Sequence, residues 1–543
     1  MKRPMERPME RPMERMMNRL FTALVAAAAL WTASCSSGGS TITPPPPAGK
    51  YSNASLNGTY AFVTSGEAIS GTSTISLSRT GSFIANGMGS IQGGVYDVVN
   101  GQGTSSTVPI TGGTYTVSAD GRGALTLNIT SNGGPSTINF AIVLTSTGDG
   151  LMIDETRNGT QASTGSGNFV LQSSSTFAAG VSGSYIFDFT GLDGNVTTSG
   201  GGPFPESLVG QFTASGGMII SGTEDANDDL ALNTTGSITG TFTPDATNTA
   251  AGRGTAVIEG QSYAYYIVDS TRVRFISTNS TGSGPMLSGD AVSRSGVPPA
   301  PSGGFAFIVA GASANGGIIR LCRFSVSGAT VNNILMDVNN AGSENEFGSS
   351  SLSNASLTYD STTGRGTLSF QSSAVNVYEF VFYLDSPSSG VIQEVSPNDT
   401  TPAFDVADGS LALQSGSPFT SSNITGPYAM NWSGLVNASG LGTDEEDLLS
   451  QVTVSSLKLS GTSDYFQFTG VTLNTNVGTA GSINLNGGNG TGDDGKPVNM
   501  AINLSGASQI NMVVYIVNPQ LAFFVSGNNS PTRVVAGILR AQQ

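Results

Sequence analysis

Asp225, Asn227 and Asp229 stand at every second position of "EDANDD", a spacing at which a short loop can turn three oxygens toward a calcium ion. An EF-hand would continue with glycine at the sixth position and glutamate at the twelfth. Here those positions hold Leu230 and Gly236, so the EF-hand is excluded. A simpler calcium loop on Asp225, Asn227 and Asp229 is the remaining metal expectation, beside the plainer reading of an acidic hairpin. "GTDEEDLL" (442–449) and "GTGDDGKP" (490–497) read the same way, as solvated acidic loops. Ser455 and Lys458 match the S-x-x-K spacing of acylating serine enzymes, but that chemistry needs a helix to bring lysine one turn below serine. "QVTVSSLKLSG" alternates like a strand, which would put the two side chains on opposite faces.

The larger exclusions come from missing residue types. The 543 residues contain no histidine, which removes Ser-His and Cys-His nucleophilic catalysis, imidazole bases and His-ligated metals. With only Cys35 and Cys322, no cysteine-rich metal site can form. Cys322 alternates with Phe324 and Val326 and reads as a small buried apolar residue. Paired carboxylates could hydrolyse glycosides, yet a sugar cleft wants aromatic walls. Trp31 and Trp432 are the only tryptophans, and Trp432 sits on a core-facing pattern. The expectation is a non-enzyme with no cofactor. Without histidine, the fold and its binding should also change little between about pH 6 and 8.

The elements that must position these residues are strands. The chain has 73 glycines, 11% charged residues, and short alternating apolar runs between Gly/Asn/Ser turns, with no long helical period. A motif, Gly-x-(aromatic)-x-(Phe/Met)-x-x-x-Gly, opens at Gly58, Gly183, Gly303 and Gly426, spaced by 125, 120 and 123 residues. A second motif closes each unit: "GNFVLQ", "GDAVSR", "GSLALQ" and "GILRAQ". Four matches at one period mark tandem duplication. The units are 55–173, 181–296, 301–416 and 423–543, after a segment 1–34 and a Ser/Gly/Pro tether 35–54. Each unit holds about eight short strands joined as a meander, with no room for parallel crossovers. The fold class is therefore all-β, four antiparallel domains. Each is expected to be an eight-stranded up-and-down barrel, with a β-sandwich as the alternative.

Gly-Arg-Gly recurs at Arg122, Arg253 and Arg365, between two strands of the first three units. Glycine supplies the positive φ of a tight turn, and the arginine then stands at the tip or folds back on a carboxylate. "VGTAGSINL" (477–485) is taken as the fourth unit's counterpart, with glycine but no arginine. The three arginines are accordingly read as turn residues, with a repeated binding site as the alternative.

Residues 1–34 read as a targeting segment: a basic leader, then the 12-residue apolar run "LFTALVAAAALW", too short to span a bilayer. Met1, Met16 and Met17 are each candidate starts. "TASC" followed by a Ser/Gly/Pro stretch resembles the lipobox of bacterial lipoproteins. That resemblance implies cleavage before Cys35 and lipidation of it, and Ser36 implies transfer to an outer membrane. The mature chain would then carry 15 basic and 34 acidic residues, a net charge of −19. That balance argues against binding nucleic acid, which needs a basic surface. The repeats "GSYAF…DGRGT…Q" resemble those of uncharacterised bacterial surface lipoproteins. The functional expectation is an exported, lipid-anchored surface protein with a structural, adhesive or display role. Its partners would be the membrane, through the lipid, and a surface protein or polysaccharide. The alternative is carriage of a small hydrophobic ligand inside a barrel.

Overall fold

The structure is a computed structural model. It describes residues 50–543 apart from 71–72, 102–104, 132–133, 159–160, 194–203, 229–231, 279–284, 314–315, 373–376, 397–404, 417–418, 437–443, 469–471, 486–497, 505–507 and 530. Cys35 and the tether before residue 50 thus lie outside the described residues.

The described chain is almost entirely antiparallel strand, in four large sheets that follow one another along the sequence. The first sheet closes into a barrel: Asn57–Ser70 pairs with Ser73–Asn86 on one side and with Gly165–Leu171 on the other. The fourth closes in the same way, Gly426–Val436 pairing with both Asp444–Ser455 and Arg533–Ala541. In the second, the fourth strand is split into Leu232–Ser237 and Gly240–Pro244. Closure there rests on Pro205–Ser215 pairing with Met218–Asn227 and on a single contact of Met218 with Thr241.

The third domain departs from the barrel expectation. Its fourth strand is also split, into Ser343–Phe347 and Ser353–Tyr359, and these two ends of the nine-stranded sheet do not pair with each other. The interruption coincides with "GSSSL" (348–352) and with Asn354 at φ +53°, which turn the chain out of register. One of the four units is therefore an open half-barrel.

Period-two alternation places one row of each strand inside. The first interior is filled by rings: Tyr60 stacks on Phe83 at 5.5 Å between centroids, and Phe62 meets Phe140 edge-on at 6.2 Å. Phe189 lies 5.1 Å from Phe275 in the second domain, Phe307 lies 4.9 Å from Phe380 in the third, and Trp432 lies 6.4 Å from Phe524 in the fourth. Cys322 is fully buried beside these rings in the third interior.

On part of each wall the outward row is apolar as well. Ala141, Val143, Leu151 and Ile153 of the first domain join one cluster with Ala306, Ile308 and Leu321 of the third and Val513, Tyr515 and Ala536 of the fourth. Barrel walls with apolar outer rows must be covered, and here the neighbouring barrels cover them.

Candidate functional site at the inter-barrel seams

The Gly-Arg-Gly turns lie at these contacts. The first glycine has positive φ at Gly121 (+87°), Gly252 (+62°) and Gly364 (+78°), a conformation that disfavours other residues. The second glycine lies under a ring in two domains: a Cβ would fall 2.1 Å from Tyr265 at Gly254 and 2.1 Å from Phe382 at Gly366. The arginine between them leaves its own domain. Arg253 donates through Nε and Nη2 to Asp97 of the first domain, at 2.8 and 2.9 Å. Arg365 makes the same fork onto Asp225 of the second domain, at 2.8 and 2.7 Å. Arg122 of the first domain reaches Asp464 of the fourth at 3.1 Å. Bidentate Arg–carboxylate pairs fix geometry as well as charge.

Each acceptor occupies the same place, on the third strand of its domain, and a tyrosine joins a carboxylate at that place in three seams. Tyr266 donates to Asp97, Tyr383 to Asp225 and Tyr515 to Asp337, each at 2.6 Å. In the first domain Val143 stands where the others have this tyrosine, because Arg122 pairs with Val143 as Arg253 pairs with Tyr266 and Arg365 with Tyr383.

The closing motif completes the seam from the other side. Gln172 donates through Nε2 to the carbonyls of Ala251 and Ile267 in the second domain, at 2.9 and 2.5 Å. Gln542 does the same to Asp120 and Leu144 of the first domain, at 2.9 and 2.8 Å. Gln414 reaches Ile516 at 2.8 Å and Arg294 reaches Thr363 at 2.6 Å. The contacts run first to second, second to third, third to fourth and fourth back to first. The four domains therefore close into a ring.

Arg122, Arg253 and Arg365 thus fold onto carboxylates, as expected of turn arginines, but onto those of the neighbouring domain. Asp225 is 1% exposed and occupied by Arg365 and Tyr383, while Asn227 donates to the carbonyls of Glu394 and Asp405. Asp229 lies outside the described residues, and no group of three metal-ligating side chains gathers among the described ones. Asp225 and Asp444–Asp447 belong to buried strands, not to solvated loops. "VGTAGSINL" belongs to the fourth strand of its domain, Thr472–Asn484, so it is not the counterpart of Gly-Arg-Gly. The fifth strand of that domain, whose counterparts begin at the arginine of Gly-Arg-Gly, is described from Val498 onward. Ser455 and Lys458 face each other across a hairpin whose two central residues, Ser456 and Leu457, have φ of +49° and +63°. They share a face instead of opposing ones, at a tip with no helix.

Buried carboxyls run against the expectation of pH indifference. Burial, with Asp193, Asp228 and Glu224 nearby, pushes Glu206 up to about 8. Burial and the nearby Glu259 and Asp225 push Glu224 up to about 7. Burial carries Glu394 to about 8 despite Arg320, which holds it at 2.9 Å. At the second seam, burial and then the nearby Asp408 raise the Asp188 carboxyl well above the carboxylate range. At the fourth, Asp447 accepts from Thr164 and, at 2.8 Å, from Ser166 of the first domain, beside a fully buried Glu445. Sequence reasoning missed these carboxylates because Asp444–Asp447 read as a loop and Asp188, on the opening strand, reads as a polar residue facing solvent.

No protein-family model matches the chain, and no curated protein matches it in sequence. Among solved structures it is faintly similar to a point mutant of Transferrin Binding Protein B from Haemophilus parasuis. Identity there is 11%, coverage is 77% of this chain and 86% of that one, and the TM-score is 0.18. Isotype 1 Transferrin binding protein B from serogroup B Neisseria meningitidis is similar at 11% identity, with 72% and 84% covered and a TM-score of 0.17. Likeness this faint assigns no role.

Proposed function

We propose that the chain is an exported, lipid-anchored, non-enzymatic surface protein. Its four domains form one rigid block that presents strand-connecting loops to a surface protein or polysaccharide. The observation that carries this reading is how the walls and interiors are used. Interiors are filled by aromatic and aliphatic side chains, and the apolar parts of the outer walls are covered by neighbouring domains, which leaves the loops and the polar strand faces as the surface free to vary. Carriage of a hydrophobic ligand would require the packed rings around Phe83 and Phe275 to move apart. The lipobox-like "TASC", the proline-rich tether and the acidic balance of the mature chain support export and anchoring.

The test is metabolic labelling of the native host with an alkyne fatty acid, comparing wild type with Cys35→Ala, followed by protease treatment of intact cells. The expected result is label on the wild type only and loss of the protein to external protease. Label on both, or full protection of an unlabelled chain, would overturn the reading. Native mass spectrometry of the same protein addresses the carrier alternative, and a mass free of adducts is expected.

A further inference from the structure

Turns of an antiparallel meander alternate between two ends, so the second turn of each domain and its fourth, which holds Gly-Arg-Gly, lie at the end where the opening strand starts. Asn57 accordingly lies opposite Asn86, Gly183 opposite Ala214, Gly303 opposite Val326 and Gly426 opposite Val454. The seams bring these ends of the four domains together. Gln172 bonds Thr59 through its backbone N–H, beside the start of the opening strand, and its side chain reaches Ala251 and Ile267 at the same end of the next domain. Arg294 reaches Thr363 and Gln542 reaches Asp120, both in Gly-Arg-Gly turns, and Gln414 reaches Ile516 beside the sixth turn. The second turns therefore emerge on one side of the ring.

That side carries the exposed apolar residues. Met88 stands between Gly87 and Gly89, both at positive φ, and is 79% exposed. Met218 and Ile220, at the matching turn of the second domain, are 56% and 64% exposed. Leu171, next to Gln172, is exposed too. One other large apolar side chain is exposed among the described residues, Val257, and it shares a cross-strand row with Met218 through Thr241. A tight turn asks for its glycines and not for methionine, so uncovered apolar side chains gathered on one side mark a contact surface. The tether arrives on the same side. Tyr51 donates its backbone N–H to Ala119 at 3.3 Å, and Leu56 accepts from the N–H of Gly87, next to Met88, at 2.9 Å. Residues 35–49, which separate Cys35 from Lys50, span at most about 50 Å.

We propose that this side of the ring rests on the bilayer, with Met88, Met218 and Ile220 dipping into its headgroup region; the proposal rests on the lipid-anchored reading above. Lys458, exposed at the second turn of the fourth domain, can lie flat there with its ammonium among phosphates. The turn acids on this side are held by their own turns: Asp120 accepts from the N–H of Arg122, Asp245 from Thr247, Asp269 from Thr271 and Asp360 from Thr362. Because the chain is acidic overall, apolar insertion and not attraction to anionic lipid carries the contact.

The test uses the full chain, matured in its native host and reconstituted in phosphatidylcholine vesicles with brominated acyl chains. Trp432 is enclosed in the fourth interior, so wild type supplies an unquenched baseline. Met88→Trp and Ile220→Trp should each shift emission to the blue on reconstitution and lose intensity to the bromines, as expected of side chains roughly 5–10 Å into the boundary between headgroups and acyl chains. Thr130→Trp, an exposed position at the opposite end of the first barrel, should do neither. Protein that floats with the vesicles while all three variants are quenched alike, or none is, would overturn the proposal and leave the lipid anchor standing. Protein that does not float would overturn both.

Discussion

Replacing Arg253 by alanine should loosen the ring at its first seam. The guanidinium makes two bonds to Asp97, one to Asp245 at 2.6 Å and one to Thr107 at 3.1 Å, with its side chain 9% exposed. Removing it strands Asp97, which is 1% exposed. Breaking a buried ion pair from one side costs about 3–5 kcal/mol, because the remaining charge is left uncompensated. Asp97 would keep Tyr266 and Thr107, each at 2.6 Å, so the expected loss is at the low end, about 3 kcal/mol. Asp97→Asn removes the stranded charge. In the double variant the loss should shrink to roughly 1–2 kcal/mol, giving a coupling of at least about 1 kcal/mol. The assay is urea unfolding followed by tyrosine fluorescence, comparing midpoints of the first transition across the four members of the cycle. Additive losses, or a loss below about 0.5 kcal/mol for the single variant, would show that the guanidinium is only a solvated turn residue.

Gln542→Ala should leave the carbonyls of Asp120 and Leu144 without their donor and destabilise the closing seam by about 1–3 kcal/mol, read in the same urea experiment. Glu206, pushed up to about 8 by burial and the acids around it, should make the second barrel lose stability as pH rises through that value. Thermal scans at pH 6 and 9 should show a falling Tm that Glu206→Gln makes shallower, and an unchanged slope would contradict the assignment. Cys322 is fully buried and its thiol is held well above the usual range by burial. It should resist maleimide in native buffer and react fully in denaturant, and native labelling within minutes would refute the packing described.

The meander is legible in the sequence because turn glycines and alternating apolar residues report directly on strands. Tyr60, Ser90, Leu125 and Phe169, each just after a glycine- or serine-bearing turn, lie in four separate strands of the first barrel. The repeat period likewise points to similar domains. The ring is not legible. A residue such as Asp97 or Asp225 looks polar and outward on its strand, which is also how a solvated residue looks; only a second domain's arginine makes it buried. The break in the third barrel at 348–352 is hidden because serine and glycine are as frequent in the intact hairpins. Gly-Arg-Gly reads as a turn, which is correct for its first glycine. The arginine's partner lies 156 residues away for Arg253 and 342 away for Arg122, beyond the reach of any local pattern.

Small-angle scattering of the intact protein addresses the closed ring directly. Four domains packed as one body of about 490 residues should give a radius of gyration of about 23 Å, independent of salt up to roughly 0.5 M because the seams are buried. Four separate barrels strung about 30 Å apart would give roughly 36 Å, and a value in that range would contradict a closed ring.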